Sequence, residues 1–532
     1  MRASFRMILF VAEERDSEAA GIVEAALRRS FTQPQVVRIG ARDLPSPVDG
    51  ACAVFLNPDR ASADWLAGAV AGRFKALLLG RLAPAVADML GVTVDGNAPI
   101  NAGWSDCSPA SPHASASCPV HVAYADTGFG TLSPIRKRSL VRFDFTDEWN
   151  NLGYGRITLD GSPWSICQQT RARDAETVAE LVVRGQRDRL VYAVVRDLPT
   201  ASFLWFNRQV GPVDSQEWRL VEAFFSDYRH DTMPCRPHLR EIPLGYDAAV
   251  TMRLDCDEAI ASARPLFELY RSRGLPFSLA VATGLSEGDS ALALLREVAA
   301  AGGSILSHSH SHAASWGGSS AAALEEARRS KAWLEASLPG TDVRYAVSPF
   351  HQTPPFALGS LWRAGYRGVI GGSIASEPQH LLGRAGILPF FDRPLVSHSQ
   401  QCMLHGDCLA ERGDPLAVYK AAFANARRGQ SIYAYLDHPF SPRYSYGWET
   451  EAVRSAAHAN LLDFIQADGG RLLFMSETDC LDFIAMKSAC AVVWPSDGRH
   501  FAIEGAARGK FGLAAGYRGR WWPAGGPVVI DG

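Results

Sequence analysis

Residues 248–258 read Ala-Ala-Val-Thr-Met-Arg-Leu-Asp-Cys-Asp-Glu. An apolar run stops abruptly in charge, at Arg253, Asp255, Asp257 and Glu258. Side chains alternate along a strand, so Asp255 and Asp257 project to the same side. Two carboxylates so close repel unless a cation or a shared proton relieves them. A metal held by one, with the other left free as a base, is chemically sensible. Taken alone, the stretch also fits a solvated acidic turn.

Working outward, this run is the first of a series. Further apolar runs lie at 277–281, 304–306, 345–347, 368–370, 387–391, 431–436 and 471–475. Helical patterns fill most gaps, at 261–273, 290–301, 321–338, 357–364, 415–428 and 451–467. Seven or eight such β/α repeats predict a barrel, with its site at the C-terminal ends of the strands.

Two more polar clusters fall at those ends. The first is Ser307-His308-Ser309-His310-Ser311-His312. On a helical turn His308 and His312 share a face and can grip one metal, whereas His310 points elsewhere. Alone, this is also what a His-rich surface loop looks like. The second is Tyr435-Leu436-Asp437-His438-Pro439-Phe440. A His at a barrel mouth can serve as a general acid, because it titrates near working pH. Alone, it is equally a packed histidine. The run from Pro442 to Trp448 follows His438 and would overhang the mouth. Phe350, Trp362, Tyr444, Tyr446 and Trp448 are candidates for stacking on sugar, although aromatic side chains are as often core.

Asp-x-Asp, His-x3-His and Leu-x-His, in that order, together resemble the motifs of the polysaccharide deacetylases, the NodB-homology group or carbohydrate esterase family four. The resemblance covers 246–487. It implies an irregular (β/α)7 barrel and removal of an N-acetyl or O-acetyl group from a sugar with the help of a divalent metal. Carried over, it makes Asp255 the catalytic base, Asp257, His308 and His312 the metal ligands, and His438 the general acid. Cys256 splits the two aspartates, where most members have them adjacent. The family's arginine-containing third motif is here Val347-Ser348-Pro349-Phe350. Pro349 and Phe350 would wall the groove and His351 would contact sugar, but the arginine that steadies the base is missing. Arg253 or Arg393 would have to substitute. The aspartate that tunes the acid His has Asp392 as its candidate. Tyr446 and Trp448 complete the expected substrate contacts. Three protein ligands leave a position open for water, as catalytic zinc sites do, so Zn2+ is the expected cofactor.

The N-terminal region has a different rhythm. Apolar runs at 7–12, 35–39, 52–56 and 76–79 alternate with helical patterns at 17–30 and 61–73, the βαβ signature of a parallel sheet. No G-x-G-x-x-G opens the first helix, so nothing supports a dinucleotide site. The region weakly resembles flavodoxin-like modules. Residues 103–118, rich in Ser, Pro and Ala, read as a linker. Strands dominate from there to about 210. The expected division is 1–118 α/β flavodoxin-like, 119–240 a β-rich module or insertion, 246–487 the barrel, and 488–532 a small β tail. The fold class is α/β. Whether 1–240 is one unit or two stays open at this level.

Composition bounds the rest. The 532 residues carry 53 Lys+Arg against 56 Asp+Glu, a formal charge of −3, which excludes the usual basic nucleic-acid binder. Hydrophobic residues at 47% exclude a disordered chain. Ten Cys are too sparse for a disulfide scaffold, and free thiols are the default, although Cys402 and Cys408 are close enough to pair. No apolar run is long enough to span a membrane. The apolar run at 7–12 is cut off by Glu13 and Glu14, too short for a secretion signal, so a cytoplasmic enzyme is expected. The expected partner is an acetylated amino-sugar polymer or oligosaccharide. Two other functions remain open at this stage: a non-catalytic carbohydrate-binding or scaffold protein with a degenerate barrel, and a linear amidase.

Overall fold

A computed structural model describes residues 6–98, 120–139, 144–145, 149–150, 157, 161–183, 189–285, 288–371, 382–389, 391–398, 402–410, 413–494, 500–505, 509–525 and 528–529. The linker expected at 103–118 lies outside these.

Two large sheets organise the chain. The N-terminal sheet has nine strands, in the order Val36–Ile39, Ile8–Val11, Ala51–Leu56, Phe74–Leu79, Ala201–Phe206, Leu190–Asp197, Glu176–Val183, Val120–Tyr124 and Lys137–Ser139. The first five are parallel, in the 2-1-3-4-5 order of doubly wound flavodoxin-like sheets. Ala51–Leu56 and Phe74–Leu79 are buried at every position, as strands covered on both faces must be. The remaining four strands join antiparallel to the same sheet. The β-rich stretch therefore extends the first sheet, and the strands of 1–240 belong to one α/β layer.

The C-terminal half holds a ten-stranded sheet whose centre is Ala248–Cys256. This long strand pairs with Leu472–Met475 through 248–251, with Tyr433–Asp437 through 250–254, and with Ser278–Val281 through 254–256, all parallel. From there the ladder runs through Ser304–Ser307, Tyr345–Val347, Gly368–Ile370 and Val396–Ser397. One face carries Ala249, Ala280, Leu306, Val347, Ile370, Val396 and Leu473, and these meet in a single buried cluster with Leu481 and Ile484 of the helix Glu477–Ala489. Residues so widely spaced along one ladder share a cluster only if the sheet curls around it. The opposite face, with Val250, Met252, Leu254, Leu279 and Val281, packs against the surrounding helices. Arg253 and Asp255 follow Ala249 in parity and so stand on the inner face.

The sequence pattern misplaces one strand here. The run at 387–391 contributes only Gly386–Ile387, antiparallel, and the two-residue strands Val396–Ser397 and Cys402–Met403 carry the ladder on. The eight cysteines among the described residues, Cys402 and Cys408 included, are buried free thiols.

The two halves are clamped together by buried charge. Arg384 donates to Glu222 at 2.9 and 2.7 Å, and Arg29 donates to the carbonyls of Leu382 and Ile387 at 2.7 and 2.9 Å. The tail strands Ala514–Tyr517 and Arg520–Pro523 form a small sheet with His238–Leu239, the segment that joins the halves. No helix among the described residues is long and apolar enough to cross a membrane.

Candidate functional site

The parallel register brings the strand ends level. Leu254 pairs with Asp437, Cys256 with Val281, and Val281 with Ser307. The next residue of each chain segment therefore emerges at one rim: Asp257, His308 and His438. A cleft of about 610 Å³ opens there, within the usual range for a small-molecule site. Asp255, Asp257, His308, His312, Phe350, His351, Asp407, His438, Tyr444 and Tyr446 are among its walls.

Asp257 Oδ1 lies 3.3 Å from His308 Nε2 and 3.2 Å from His312 Nε2, and the two imidazole nitrogens are 3.2 Å apart. Three ligands at ~2.1 Å from a tetrahedral centre would stand about 3.4 Å from one another. The triangle has the size a divalent cation needs. His308 Nδ1 donates to the Val347 carbonyl at 3.0 Å, which fixes the tautomer and leaves Nε2 with a free lone pair. Asp257 Oδ1 is buried with no hydrogen-bond donor of its own. Donor type, spacing and tautomer all fit a zinc-like cation.

The histidine pair is not delivered by a helical turn. Residues 308–312 form an irregular loop with left-handed backbone at Ser309 (φ 66°) and His312 (φ 55°). Glu326, on the helix Ser320–Ser337, accepts from the backbone N–H of His310 and Ser311 at 2.9 and 2.7 Å and from Ser311 Oγ at 2.7 Å. That clamp folds the loop back and returns His312 to Asp257. His310 turns aside to Thr283 Oγ1 at 3.0 Å. Left-handed non-glycine residues concentrate around the cleft: Ser309, His312, Ser315, Trp316, Phe350, His351 and Tyr446. Backbone strain of this kind gathers where geometry is imposed on a site.

Asp255 sits behind the triangle, 1% exposed. Arg253 Nε donates to its Oδ1 at 2.7 Å and Nη2 to its Oδ2 at 3.2 Å. Burial works to raise the carboxyl, but Arg253, His308 and His438 outweigh it and hold the group at about 2. Arg253 reaches on to Glu477 at 3.6 Å, and Glu477 pairs with His398 at 2.9 Å. Of the two arginines proposed to steady the base, Arg253 is in place. Arg393 is exposed beside Asp392.

His438 Nε2 faces Asp257 Oδ2 at 3.9 Å, and its ring stacks on Tyr446 at 4.4 Å. Tyr446 donates its hydroxyl to Asp257 Oδ2 at 3.2 Å. The other ring nitrogen of His438 meets His405 Nε2 at 2.8 Å. Burial, with His405 adding to it, pushes His438 down to about 4. Beneath lies Asp437, fully buried, taking His458 Nε2 at 3.0 Å, Trp448 Nε1 at 3.3 Å and the His438 N–H at 2.7 Å. The loops carrying His405 and Tyr446 touch through glycines. A Cβ on Gly447 (φ +76°) would lie 2.2 Å from the Asp407 backbone nitrogen, and one on Gly406 2.2 Å from the Gly447 oxygen.

Several expected contacts are corrected. Asp392 lies away from the cleft, in a separate groove with Gly21, Arg28 and Phe391, and it is highly exposed. The position beside the acid His that was expected for it is taken by His405. Trp448 is 2% exposed and tied to Asp437, so it supports the floor of the site and cannot stack on a ligand. Pro349 is buried under its turn, outside the cleft lining. Phe350, 47% exposed, and Tyr444, 56% exposed, do flank the opening. Arg443 and Glu258 pair at the rim.

No family model and no curated protein matches the chain. Among solved structures, Agd3, described as a novel carbohydrate deacetylase, is similar over 99% of this chain and 99% of its own, at 10% identity and a TM-score of 0.43. The chitin deacetylase of the fungal pathogen Colletotrichum lindemuthianum is similar over 44% of this chain and 87% of its own, at 14% identity and a TM-score of 0.29. The Xyl-CE4 domain of a multidomain xylanase from the hindgut metagenome of Trinervitermes trinervoides is similar over 44% and 90%, at 12% identity and a TM-score of 0.29. At these scores the functional conclusion has to rest on the geometry of the site.

Proposed function

We propose that the protein is a metal-dependent hydrolase that removes acetyl groups, N-acetyl foremost, from a polysaccharide or oligosaccharide. The observation that carries this is the convergence of Asp257, His308 and His312 into one ligand-sized triangle, with the buried, ionised Asp255 and His438 facing the same cleft. In the same reading the curled C-terminal sheet is an irregular (β/α)7 barrel of the NodB type.

Asp257, His308 and His312 would hold the cation, Zn2+ by the nature of the donors. When bound, such a cation makes water nucleophilic near neutral pH and polarises a carbonyl. Asp255, kept ionised by Arg253, accepts the proton of the attacking water. The N–H groups of His351 and Gln352 are taken by the Ser348 and Pro349 carbonyls at 3.1 Å each. The Phe350 N–H is therefore the backbone donor of that turn left to steady the acetyl oxygen. His438 protonates the leaving nitrogen. As an imidazolium it needs an acceptor for its second N–H, and the His405 nitrogen provides one. Phe350 and Tyr444 offer exposed ring faces to the sugar on either side of the acetyl group.

The test is acetate release from N-acetylated hexosamine oligomers by the zinc-loaded protein. The proposal expects release that falls by ~10²–10⁴-fold in Asp255→Asn, with zinc still bound. Release from simple linear acetamides alone would make the protein an amidase. Oligomer binding without release would make it a carbohydrate-binding protein.

A further inference from the structure

His351 is left without a task in the scheme above, yet the fold goes to some trouble to place it. It follows Phe350 in a tight turn, and both residues have left-handed backbone, φ 54° and 55°. Each such non-glycine residue costs on the order of 1–3 kcal/mol and persists only where its surroundings impose it. Here they do. His351 N–H donates to Ser348 O, and Ser348 Oγ is held by Trp316 Nε1 at 2.9 Å and Thr353 Oγ1 at 2.9 Å. Gln352 Oε1 accepts from Ser315 Oγ at 2.7 Å.

The outcome of this bracing is to turn the His351 ring into the cleft wall, 7% exposed. Asp255, Arg253, His438 and His308 are the charged and titratable groups near it. Its Nδ1 is buried with no hydrogen-bond partner, so of the two ring nitrogens only Nε2 is left toward the cleft. A buried polar ring with no partner is destabilising on its own account, and together with strain at the same residue it marks a group kept for a ligand. Burial pushes the ring down to about 3, so it stands neutral at working pH. A neutral imidazole can donate one N–H to an oxygen without giving up its proton.

We propose that His351 donates its Nε2–H to the acetyl oxygen as that oxygen gains charge, acting beside the Phe350 N–H as a second oxyanion donor. This rests on the deacetylase reading. No bond forms or breaks at His351, and its proton stays on the ring throughout.

The experiment compares wild type, His351→Ala and His351→Gln as zinc-loaded proteins on N-acetylated hexosamine oligomers. Zinc stoichiometry, thermal midpoint and binding of a phosphonamidate analogue of the tetrahedral intermediate are measured alongside. His351→Ala should lose ~100-fold in kcat with KM within about twofold, and should bind the phosphonamidate correspondingly more weakly. Its zinc content and thermal midpoint should match wild type. The amide N–H of His351→Gln should recover about tenfold of the loss. A kcat unchanged in His351→Ala overturns the proposal. A change in KM alone, which would put His351 on the sugar, also overturns it, and so does a loss of zinc or fold in both variants. If wild type itself releases no acetate from any oligomer, the deacetylase reading falls first and takes this proposal with it.

Discussion

Arg253 and Asp255 stand two positions apart on one strand and are joined by two hydrogen bonds, at 2.7 and 3.2 Å, both side chains essentially sealed from solvent. The pair explains how a base can work here without an arginine in the turn after Val347. The inner face of the strand supplies the cation from the same stretch of chain that supplies the carboxylate.

Arg253→Met should accordingly leave Asp255 buried and unpaired. Breaking a buried pair from one side costs about 3–5 kcal/mol, so urea unfolding should report a loss of that order. In any fraction that stays folded, the acid limb of the rate profile should move upward from its present position near pH 2, because burial then acts on Asp255 with less opposition. An unfolding midpoint within error of wild type would contradict this.

His405 should matter through His438. Removing it in His405→Phe takes away the acceptor at 2.8 Å and lets the acid ring rotate. The expected effect is a loss of about 10–100-fold in kcat with KM and zinc content preserved. A kcat equal to wild type would show that His438 needs no partner.

The aromatic residues separate into two kinds. Trp448→Ala should destabilise the fold by about 3–5 kcal/mol, since it empties a buried site and frees an acceptor on Asp437. Phe350→Ala, at an exposed ring, should change stability by no more than about 0.5 kcal/mol. Its effect should fall on KM for oligomers, about three- to tenfold, the size of a lost ring contact. Denaturant curves and steady-state kinetics on both variants check the contrast.

A pH dependence unrelated to catalysis comes from His238, where the halves and the tail meet. It is 1% exposed, bonded to Ser226 Oγ at 2.7 Å, with Phe31 and Trp521 edge-on to its ring. Burial lowers it to about 4 from its ordinary 6.5, with Glu222 at 3.7 Å opposing only in part. The unfolded chain therefore binds the proton that the folded one refuses. Stability is full above pH 6.5 and is lost as pH falls toward 4, by about 2–3 kcal/mol at pH 4.5. His238→Gln should flatten that window in urea titrations. An unchanged slope would assign the pH effect elsewhere.

Much of this site can be seen in the sequence because its residues end apolar runs. Asp255, Asp257, His308 and His438 each follow a buried strand, and the repeat that predicts a barrel also predicts that they share a rim. Arg253 was legible by the same alternation that pairs Asp255 with Asp257. His405 was not, because it follows a strand of only two residues, Cys402–Met403, too short to show a period. The helix Glu477–Ala489 escapes for the opposite reason. Leu481 and Ile484 face the inside of the curled sheet while Phe483 packs on the tail, so its apolar residues mark no single face. Trp448 and Phe350 cannot be told apart by residue type, since burial is set by loops that meet only in the fold. The choice between one N-terminal unit and two turns on the Phe74–Leu79 and Ala201–Phe206 pairing, a contact across more than a hundred residues that no local pattern encodes.

The most direct test of the account is elemental analysis of the purified protein after equilibration with zinc and removal of loose ions. Three donors spaced for one cation predict about one zinc per chain in wild type and almost none in Asp257→Ala combined with His308→Ala, with Asp255→Asn unaffected. Wild-type protein that retains no divalent metal, or a double variant that retains as much as wild type, would contradict it.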